Sequence, residues 1–169
     1  YGDHRDLHLS LRRQRQMCIR DSYWKEPGLT RESYRDGWFY TNDLGMMDKD
    51  GYLYIVGRKN EMIIKRGINI YPKEIEDVIS SHQKVLECCV FGIPDLRFGE
   101  DICAAVVKKG DLTEEELRKF CSSRLNPFMV PKIFEFYDNL PKNASGKIRR
   151  NKLKEKFWKG YNFTTNYRL

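Results

Sequence analysis

Two apolar runs constrain the fold of this 169-residue chain more than any other feature. Residues 85–91 and 102–107 are followed by glycine or proline within a few positions, and both have a length that suits strands buried on both faces or nearly so. Neither run approaches the roughly 18 to 20 apolar residues that a membrane helix requires. The sequence therefore predicts a buried sheet and no membrane span.

Two amphipathic helices are predicted around these strands. Pro72 favours the first turn of one helix, and the acidic residues Glu74 and Glu76 suit its positive end. Its apolar face consists of residues at the helical spacing i, i+3, i+4 and i+7, namely Ile75, Val78, Ile79 and His82. A second helix is predicted after Thr113, which forms a capping box with Glu116.

Three further strands and a last helix complete the predicted fold. Residues 52–56 and 62–65 form a strand pair near the N-terminal side, and residues 133–137 form a third strand of the sheet. A very basic final helix has Leu153 and Phe157 on its sparse apolar face. The sum is an α+β fold: a small three-stranded sheet with two or three helices and an N-terminal β-hairpin.

The chain divides into four predicted segments. Residues 1–22 have neither helical nor strand periodicity and resemble translated adapter sequence, so we interpret them as a doubtful lead-in that is foreign to the fold. Residues 23–59 are predicted to be the remnant of a larger N-terminal domain, residues 60–158 the compact domain, and residues 159–169 a polar tail. No secretory signal is visible, so we expect a cytoplasmic protein.

The positive net charge of +7 is concentrated near the C-terminus. Between Lys142 and Lys159 lie eight of the 31 Lys and Arg residues but only one of the 24 Asp and Glu residues, so the rest of the chain is neutral. A patch of this kind attracts phosphate groups in general and does not separate a nucleotide from a polymer.

The cysteines and histidines of the sequence do not have the spacing of a metal site. The five cysteines lie mostly within apolar runs, where cysteine behaves as a small hydrophobic residue. Only three histidines are present and there is no C-x-x-C pair, so the sequence predicts no metal ligands.

Four polar segments could carry chemistry. They are residues 41–43 before a turn, the Gly57-Arg58 pair after a strand, residues 65–72 ahead of a helix, and residues 140–150, which place Lys147 on a Ser-Gly turn. Each alone fits an ordinary role as a turn former or surface charge. The last is not a Walker A motif, because Pro141 stands in place of its first glycine and Ile148 in place of its Ser or Thr.

Taken together and in this order, the segments resemble the C-terminal part of the adenylate-forming enzymes, which include acyl-CoA synthetases, nonribosomal peptide adenylation domains and firefly luciferase. The matching strings are T-N-D-L-G at 41–45, G-R at 57–58, N-I-Y-P-K-E-I-E at 69–76, G-E at 99–100, and L-P-K with G-K-I within 140–148. The resemblance implies a lid domain of an ATP-dependent ligase. It also implies a fatty or aryl carboxylic acid as substrate, with ATP or AMP, CoA and Mg²⁺ as cofactors.

The resemblance assigns roles to five residues. Lys147 is implied as the catalytic cation, Asp43 as the acceptor for the ribose hydroxyls and Arg58 as the ribose-side partner. Gly67 would line the pantetheine path of CoA, and Asn60 would be the hinge.

The sequence departs from the family pattern at three positions. Asn60 stands where most relatives have Asp or Lys, Asn42 where they have Gly, and Asn143 where they have Thr. None of these departures removes a charged group.

In the family, the phosphate-binding loop and nearly all of the acyl pocket belong to the N-terminal domain, and this sequence contains no such loop. We therefore expect a fragment that is inactive alone, has the missing N-terminal domain as its partner and binds no nucleic acid. Two alternatives stay open: a lid from a carrier-protein-loading adenylation domain, or a stand-alone module whose basic helix binds RNA, an anionic membrane or a protein partner.

Overall fold

The computed structural model describes residues 22–159 and residue 161. The predicted lead-in therefore lies outside the described residues apart from its last position, and so does most of the predicted polar tail. The chain separates into two compact units that divide between Thr41 and Asn42. The boundary at residues 59 and 60 stays a prediction.

The first unit is small. Helix α1 covers Pro27–Ser33, with proline in its first turn. Strands β1 (Tyr34–Arg35) and β2 (Trp38–Phe39) then form a short antiparallel pair. The rings of Tyr34 and Phe39, which are opposite each other in this pair, lie 5.1 Å apart.

The second unit begins with a β-hairpin of strands β3 (Asp43–Met47) and β4 (Leu53–Arg58). The Asp48 carboxylate organises its turn, accepting hydrogen bonds from the Asp50 and Tyr52 N–H groups and from the Tyr54 hydroxyl. Sequence analysis placed residues 41–43 in a loop, whereas Asp43 is the first residue of β3. The reason is its register partner: Asp43 pairs with Arg58, the last residue of β4.

The centre of the second unit is a five-stranded sheet. Its strands are β5 (Ile63–Lys65), β6 (Ile68–Ile70), β7 (Val85–Asp95), β8 (Gly99–Lys108) and β9 (Ile133–Tyr137). β8 pairs antiparallel with β7 and parallel with β9. The hairpin of β5 and β6 joins the sheet through the pairing of Lys65 with Gly99, so the sheet has five strands where the sequence predicted three. The predicted pairing of residues 52–56 with residues 62–65 is wrong, because β4 pairs with β3, and β5 pairs with β6 and β8.

Helices cover both faces of this sheet, as the two apolar runs require. Helices α2 (Pro72–Ser80) and α3 (Glu114–Ser122) share one apolar cluster with the inward residues Val90, Ile102 and Val106. Helix α4 (Arg150–Trp158) contributes Leu153 to a second cluster on the other face, with Phe91 and Cys103. The predicted α+β class is confirmed. One half of the predicted capping box is present, because the Thr113 hydroxyl accepts from the Glu116 N–H at 3.2 Å, while the Glu116 carboxylate accepts from the Lys84 ammonium group.

The described cysteines are unbridged and behave as core residues. Cys89, Cys103 and Cys121 are buried, and burial raises the pKa of the Cys103 thiol to about 12. A thiol with so high a pKa is a poor nucleophile near neutral pH.

None of the helices in residues 22–159 combines the length and the hydrophobicity that a membrane crossing needs. Over the same residues, no cluster of three or more His, Cys, Asp or Glu side chains could hold a metal ion.

Candidate functional site

A cleft of about 660 Å³ opens between the β3–β4 hairpin, the start of α2 and the turn that precedes α4. It brings together Asp43, Arg58 and Lys147, three of the five residues to which the family resemblance assigned a role. Other charged or polar side chains that line it are Glu61, Lys73, Glu76, Asn143 and Arg150. Because both cations and carboxylates line the cleft, it suits a ligand that carries both phosphate and hydroxyl groups.

Asp43 and Arg58 form one wall of the cleft. They lie opposite each other in the hairpin, and the Arg58 Nε atom is 3.1 Å from Asp43 Oδ1. An exposed ion pair contributes only about 0 to 1 kcal/mol to stability, so the value of this pair lies in orienting the two side chains. A carboxylate accepts up to about four hydrogen bonds, so Asp43 can accept from ligand hydroxyls as well as from Arg58.

Lys147 enters the cleft from a tight turn. The N–H of Asn143 donates to the Lys147 carbonyl at 2.9 Å, and Gly146 occupies the left-handed region at φ +79°. On either side of the turn, Lys142 pairs with Ile148 in an antiparallel bridge. Glycine is required at position 146 because a Cβ atom is strained at this backbone angle.

The Lys147 side chain is exposed, and within the described part of the chain its ammonium group forms no ion pair shorter than 4.0 Å. The neighbouring cations differ. Lys73 pairs with Asp77, which raises the pKa of Lys73, and Arg58 pairs with Asp43. Among the cations of the cleft, and counting only partners within residues 22–159, Lys147 is thus the one that a bound anion can engage without breaking an existing pair.

Arg150 anchors the helix that follows the turn. Its Nη2 atom is 2.7 Å from Glu76 Oε1, its Nε donates to the Val90 carbonyl at 3.0 Å, and its Nη1 pairs with Glu61. Burial acts to lower the pKa of this guanidinium, but the carboxylates of Glu76 and Glu61 outweigh burial and raise the pKa above its ordinary value. Arg150 therefore stays charged and holds the start of α4 against α2 and β7.

Sequence analysis assigned Arg150 only to the basic patch and did not find this role. One signal was available, since Arg150 lies three and seven residues before Leu153 and Phe157 and so shares their core-facing side of the helix. The partners Glu61 and Glu76 could not be found in this way, because they lie far away in sequence.

The structure does not bring Gly67 and Asn60 to the Lys147 cleft. Gly67 lies in the turn between β5 and β6 at φ +76°, directly after Arg66 at φ +54°, and a Cβ atom at Gly67 would meet nothing within 4 Å. Asn60 is exposed in the single 3₁₀ turn Lys59–Glu61, which connects β4 to β5. Their implied roles stay predictions.

A buried ion pair lies beside the Gly67 turn, and sequence analysis did not single it out. The Lys65 Nζ atom is 2.6 Å from Asp101 Oδ1, and both side chains are almost fully covered. They line a second cavity of about 470 Å³ together with Phe98, Arg118 and Lys132. The pair fixes the β5–β6 turn to strand β8.

The α+β fold, with a lysine-bearing turn and an acid–arginine pair that line one cleft, matches the C-terminal lid domain of the adenylate-forming enzymes. Residues 74–147 match the family model described as the AMP-binding enzyme C-terminal domain. The resemblance noted in the sequence is thereby confirmed.

Curated relatives extend the match beyond those residues. The chain is 46% identical to a long-chain-fatty-acid-CoA ligase of Bacillus subtilis (strain 168) over 139 residues, covering 81% of this chain and 25% of that protein. It is 42% identical to a 2-succinylbenzoate-CoA ligase of Bacillus mycoides (strain KBAB4) over 137 residues, covering 81% of this chain and 28% of that protein. The chain thus spans about a quarter of the length of these relatives.

Among solved structures, the o-succinylbenzoate CoA synthetase of Bacillus subtilis, in complex with its acyl-adenylate intermediate, superposes with a TM-score of 0.75 at 39% identity. The match covers 79% of this chain and 28% of that one.

Proposed function

We propose that this chain is the lid portion of an ATP-dependent carboxylate-CoA ligase. In the first step a carboxylate oxygen attacks the α-phosphorus of ATP, the bond to the β-phosphate breaks, and pyrophosphate leaves. In the second step the CoA thiol attacks the acyl carbon, loses its proton, and AMP leaves. The observation that carries the proposal is that Lys147 and the Asp43–Arg58 pair line the same cleft.

Lys147 would act in the first step. Carboxylate and triphosphate repel each other, so their approach needs a cation at the point of attack. The ammonium group of Lys147 is exposed on a fixed turn and forms no competing ion pair within the described residues. Loss of a preorganised charge of this kind reduces the rate typically 10²-fold or more.

Asp43 and Arg58 would hold the nucleotide by its ribose. Asp43 can accept hydrogen bonds from two neighbouring hydroxyl groups, and the 3.1 Å contact with Arg58 keeps the carboxylate facing the cleft. Arg58 would contact the ribose side of the same nucleotide.

Gly67 and Asn60 would act in the second step. We propose that the domain rotates about Asn60 and presents the β5–β6 turn to the acyl-adenylate, so that Gly67 lines the path of the pantetheine arm. Gly67 is exposed and has no Cβ atom to obstruct the thiol. Asparagine tolerates left-handed backbone angles better than most residues and can serve as a pivot in place of Asp or Lys.

ATP or AMP and CoA are the proposed nucleotides of the ligase, and Mg²⁺ the proposed metal. The residues of the cleft fit a ribose and a phosphate. They do not form a Mg²⁺ site, because residues 22–159 hold no cluster of metal-ligating side chains. Mg²⁺ commonly binds through substrate phosphates, and no step is assigned to it here.

We further propose a fatty or aryl acid as substrate, since the curated relatives are named for such acids. The 169-residue chain alone is expected to be inactive, because the part of the relatives that it does not cover would supply the acyl pocket. We also propose that the protein is located in the cytoplasm.

Several contacts favour the ligase over a basic nucleic-acid module. Within the basic segment, Lys142 pairs with Glu87, Lys156 with Glu135, and Arg150 with Glu76 and Glu61. Part of the positive charge is thus neutralised inside the domain, and this reduces the phosphate attraction of the helix.

A fusion enzyme tests the proposal. Residues 23–169 replace the matching segment of the Bacillus subtilis o-succinylbenzoate CoA synthetase, and ATP-dependent formation of the CoA thioester is measured. Lys147→Ala is expected to reduce kcat by about 10²-fold. Lys152→Ala, which removes an exposed lysine of α4, is the matched control and should change kcat less than about 2-fold. Equal activity of the two variants would refute the assignment.

A further inference from the structure

The turn that carries Lys147 is organised around one side chain, that of Asn143. The Asn143 Oδ1 atom accepts three hydrogen bonds, from the Lys147 N–H at 2.9 Å, the Ser145 N–H at 3.0 Å and the Ser145 hydroxyl at 2.8 Å. Its backbone adds two more, because its N–H donates to the Lys147 carbonyl and its carbonyl accepts from the Gly146 N–H. All five bonds have Asn143 as donor or acceptor.

The stem of the turn is held independently of this side chain. The Arg149 N–H donates to the Pro141 carbonyl at 2.7 Å, and Lys142 bridges to Ile148. Residues 143–147 are themselves exposed and have no apolar packing to fix them. The conformation between the two stem residues therefore depends on the hydrogen bonds to Asn143.

Position 143 is also where the chain departs from the family's usual threonine. An asparagine side chain hydrogen-bonds backbone groups two residues on, and a Ser or Thr hydroxyl makes the same type of contact more weakly. Asn143 reaches both Ser145 and Lys147, so it replaces the threonine with an acceptor that spans the whole turn.

We propose that Asn143 is a positioning residue for the adenylation step. By closing the turn around Oδ1, it fixes the backbone of Lys147 and so directs the ammonium group into the cleft that both residues line. This inference rests on the proposed function of Lys147.

The first test uses the 169-residue chain itself and amide hydrogen exchange followed by NMR. Asn143→Ala should remove the protection of the Ser145 and Lys147 amides, while amides of the buried strand β8 exchange as in the parent. Asn143→Thr should restore part of the protection. Unchanged protection of Lys147 in Asn143→Ala would overturn the proposal.

The second test measures acyl-adenylate formation, as pyrophosphate release, in the fusion enzyme defined above. Asn143→Ala should lower kcat on the order of 10-fold and leave the KM for ATP within about 2-fold, because the lysine is misplaced rather than lost. Asn143→Thr should recover most of this loss. The control is Asn139→Ala, an exposed asparagine for which the described part of the chain offers no side-chain hydrogen bond.

The outcomes separate the two proposals. If Lys147→Ala abolishes adenylation but Asn143→Ala behaves like Asn139→Ala, the positioning role is refuted and the proposed function stands. If Lys147→Ala leaves adenylation unchanged, the proposed function fails. A loss in Asn143→Ala that Asn143→Thr restores supports the positioning role.

Discussion

The β3–β4 hairpin lines one part of the cleft, and helix α2 and the turn before α4, which pack on the five-stranded sheet, line the rest. The hairpin and the sheet differ completely in packing. No residue of β3 or β4 is buried, and six large apolar side chains of the hairpin are at least half exposed, namely Met46, Met47, Tyr52, Leu53, Tyr54 and Ile55. In the sheet, by contrast, Ile63, Phe91 and Ile102 are fully buried.

The difference shows which wall is stable in itself. Helices on both faces of the sheet give Lys147 a rigid base, whereas an isolated two-stranded hairpin is marginally stable in water. The exposed apolar side chains of the β3–β4 hairpin lack such a cover. The hairpin wall with Asp43 and Arg58, the proposed ribose-side wall, therefore depends on a partner surface more than the wall with Lys147, the lysine-side wall, does.

The largest expected effect contrasts two isoleucines, one from each region. Ile102→Ala should cost about 2 to 5 kcal/mol of unfolding free energy, because the side chain is fully buried between the helices and its removal leaves a cavity. Ile55→Ala, at a site 60% exposed in the hairpin, should cost less than about 0.5 kcal/mol. Urea unfolding of the chain measures both. Equal losses would show that the hairpin has a core of its own.

The next effect concerns the anchor of the lysine-side wall. Arg150→Ala leaves the Glu76 carboxylate without its cation in a largely buried setting and should cost about 2 to 3 kcal/mol. Arg149→Ala removes an exposed arginine next to it and should stay within about 0.5 kcal/mol. Thermal unfolding followed by circular dichroism compares the two. If Arg149→Ala were the more damaging change, the account of α4 would be wrong.

A pH comparison sharpens the contrast. A hydrogen bond from Lys132 lowers the pKa of Asp95 in the sheet, and the Tyr52 N–H lowers the pKa of Asp48 in the hairpin. A carboxyl group whose pKa is lower in the folded state stabilises above its unfolded pKa of about 3.9, and this stability is lost as the pH falls through the folded pKa.

We expect only the sheet to contribute to the free energy of global unfolding, because no residue of β3 or β4 is buried. Asp95→Asn should therefore flatten the loss of stability between about pH 5 and pH 2 and cost on the order of 1 kcal/mol at pH 7. Asp48→Asn should leave that profile unchanged. The free energy of unfolding, measured by urea titration at several pH values, checks this. A flattened profile in Asp48→Asn would mean that the hairpin unfolds together with the sheet.

The smallest effect on stability is expected at the ribose-side wall itself. Arg58→Gln should change the unfolding free energy by less than about 0.5 kcal/mol, because its pair with Asp43 is exposed. In the fusion enzyme the same substitution should raise the KM for ATP. Calorimetric unfolding and steady-state kinetics separate the two readouts, and a large stability loss with unchanged KM would contradict the role of Arg58.

Patterns local in sequence predicted much of the fold. The two apolar runs correspond to β7 and β8, and the Pro72 and Thr113 signals correspond to the starts of α2 and α3. Strand β3 was missed because its side chains face solvent and show no alternation, so only its pairing with β4 defines it. The addition of β5 and β6 depends on one pairing, Lys65 with Gly99, which no local pattern contains.

The candidate site divides in the same way. Three site residues lie in recognisable motifs, namely Asp43, Arg58 and Lys147, and the structure places them around one cleft. The residues that support the site by hydrogen bonds and ion pairs do not lie in such motifs. Arg150 binds Glu76 across 74 positions of sequence, and the hydrogen bonds of Asn143 depend on the closed turn. Supporting contacts of this kind arise from the fold and become visible only with it.

The central claim is that Lys147 serves adenylation from a turn distinct from the one that serves thioester formation. The most direct measurement is the rate of each half-reaction in the fusion enzyme, with Lys147→Ala compared with Gly67→Leu. We predict that Lys147→Ala reduces acyl-adenylate formation about 10²-fold and leaves thioester formation from supplied acyl-adenylate intact, while Gly67→Leu does the reverse. Loss of both half-reactions in Lys147→Ala, or of neither, would contradict the account.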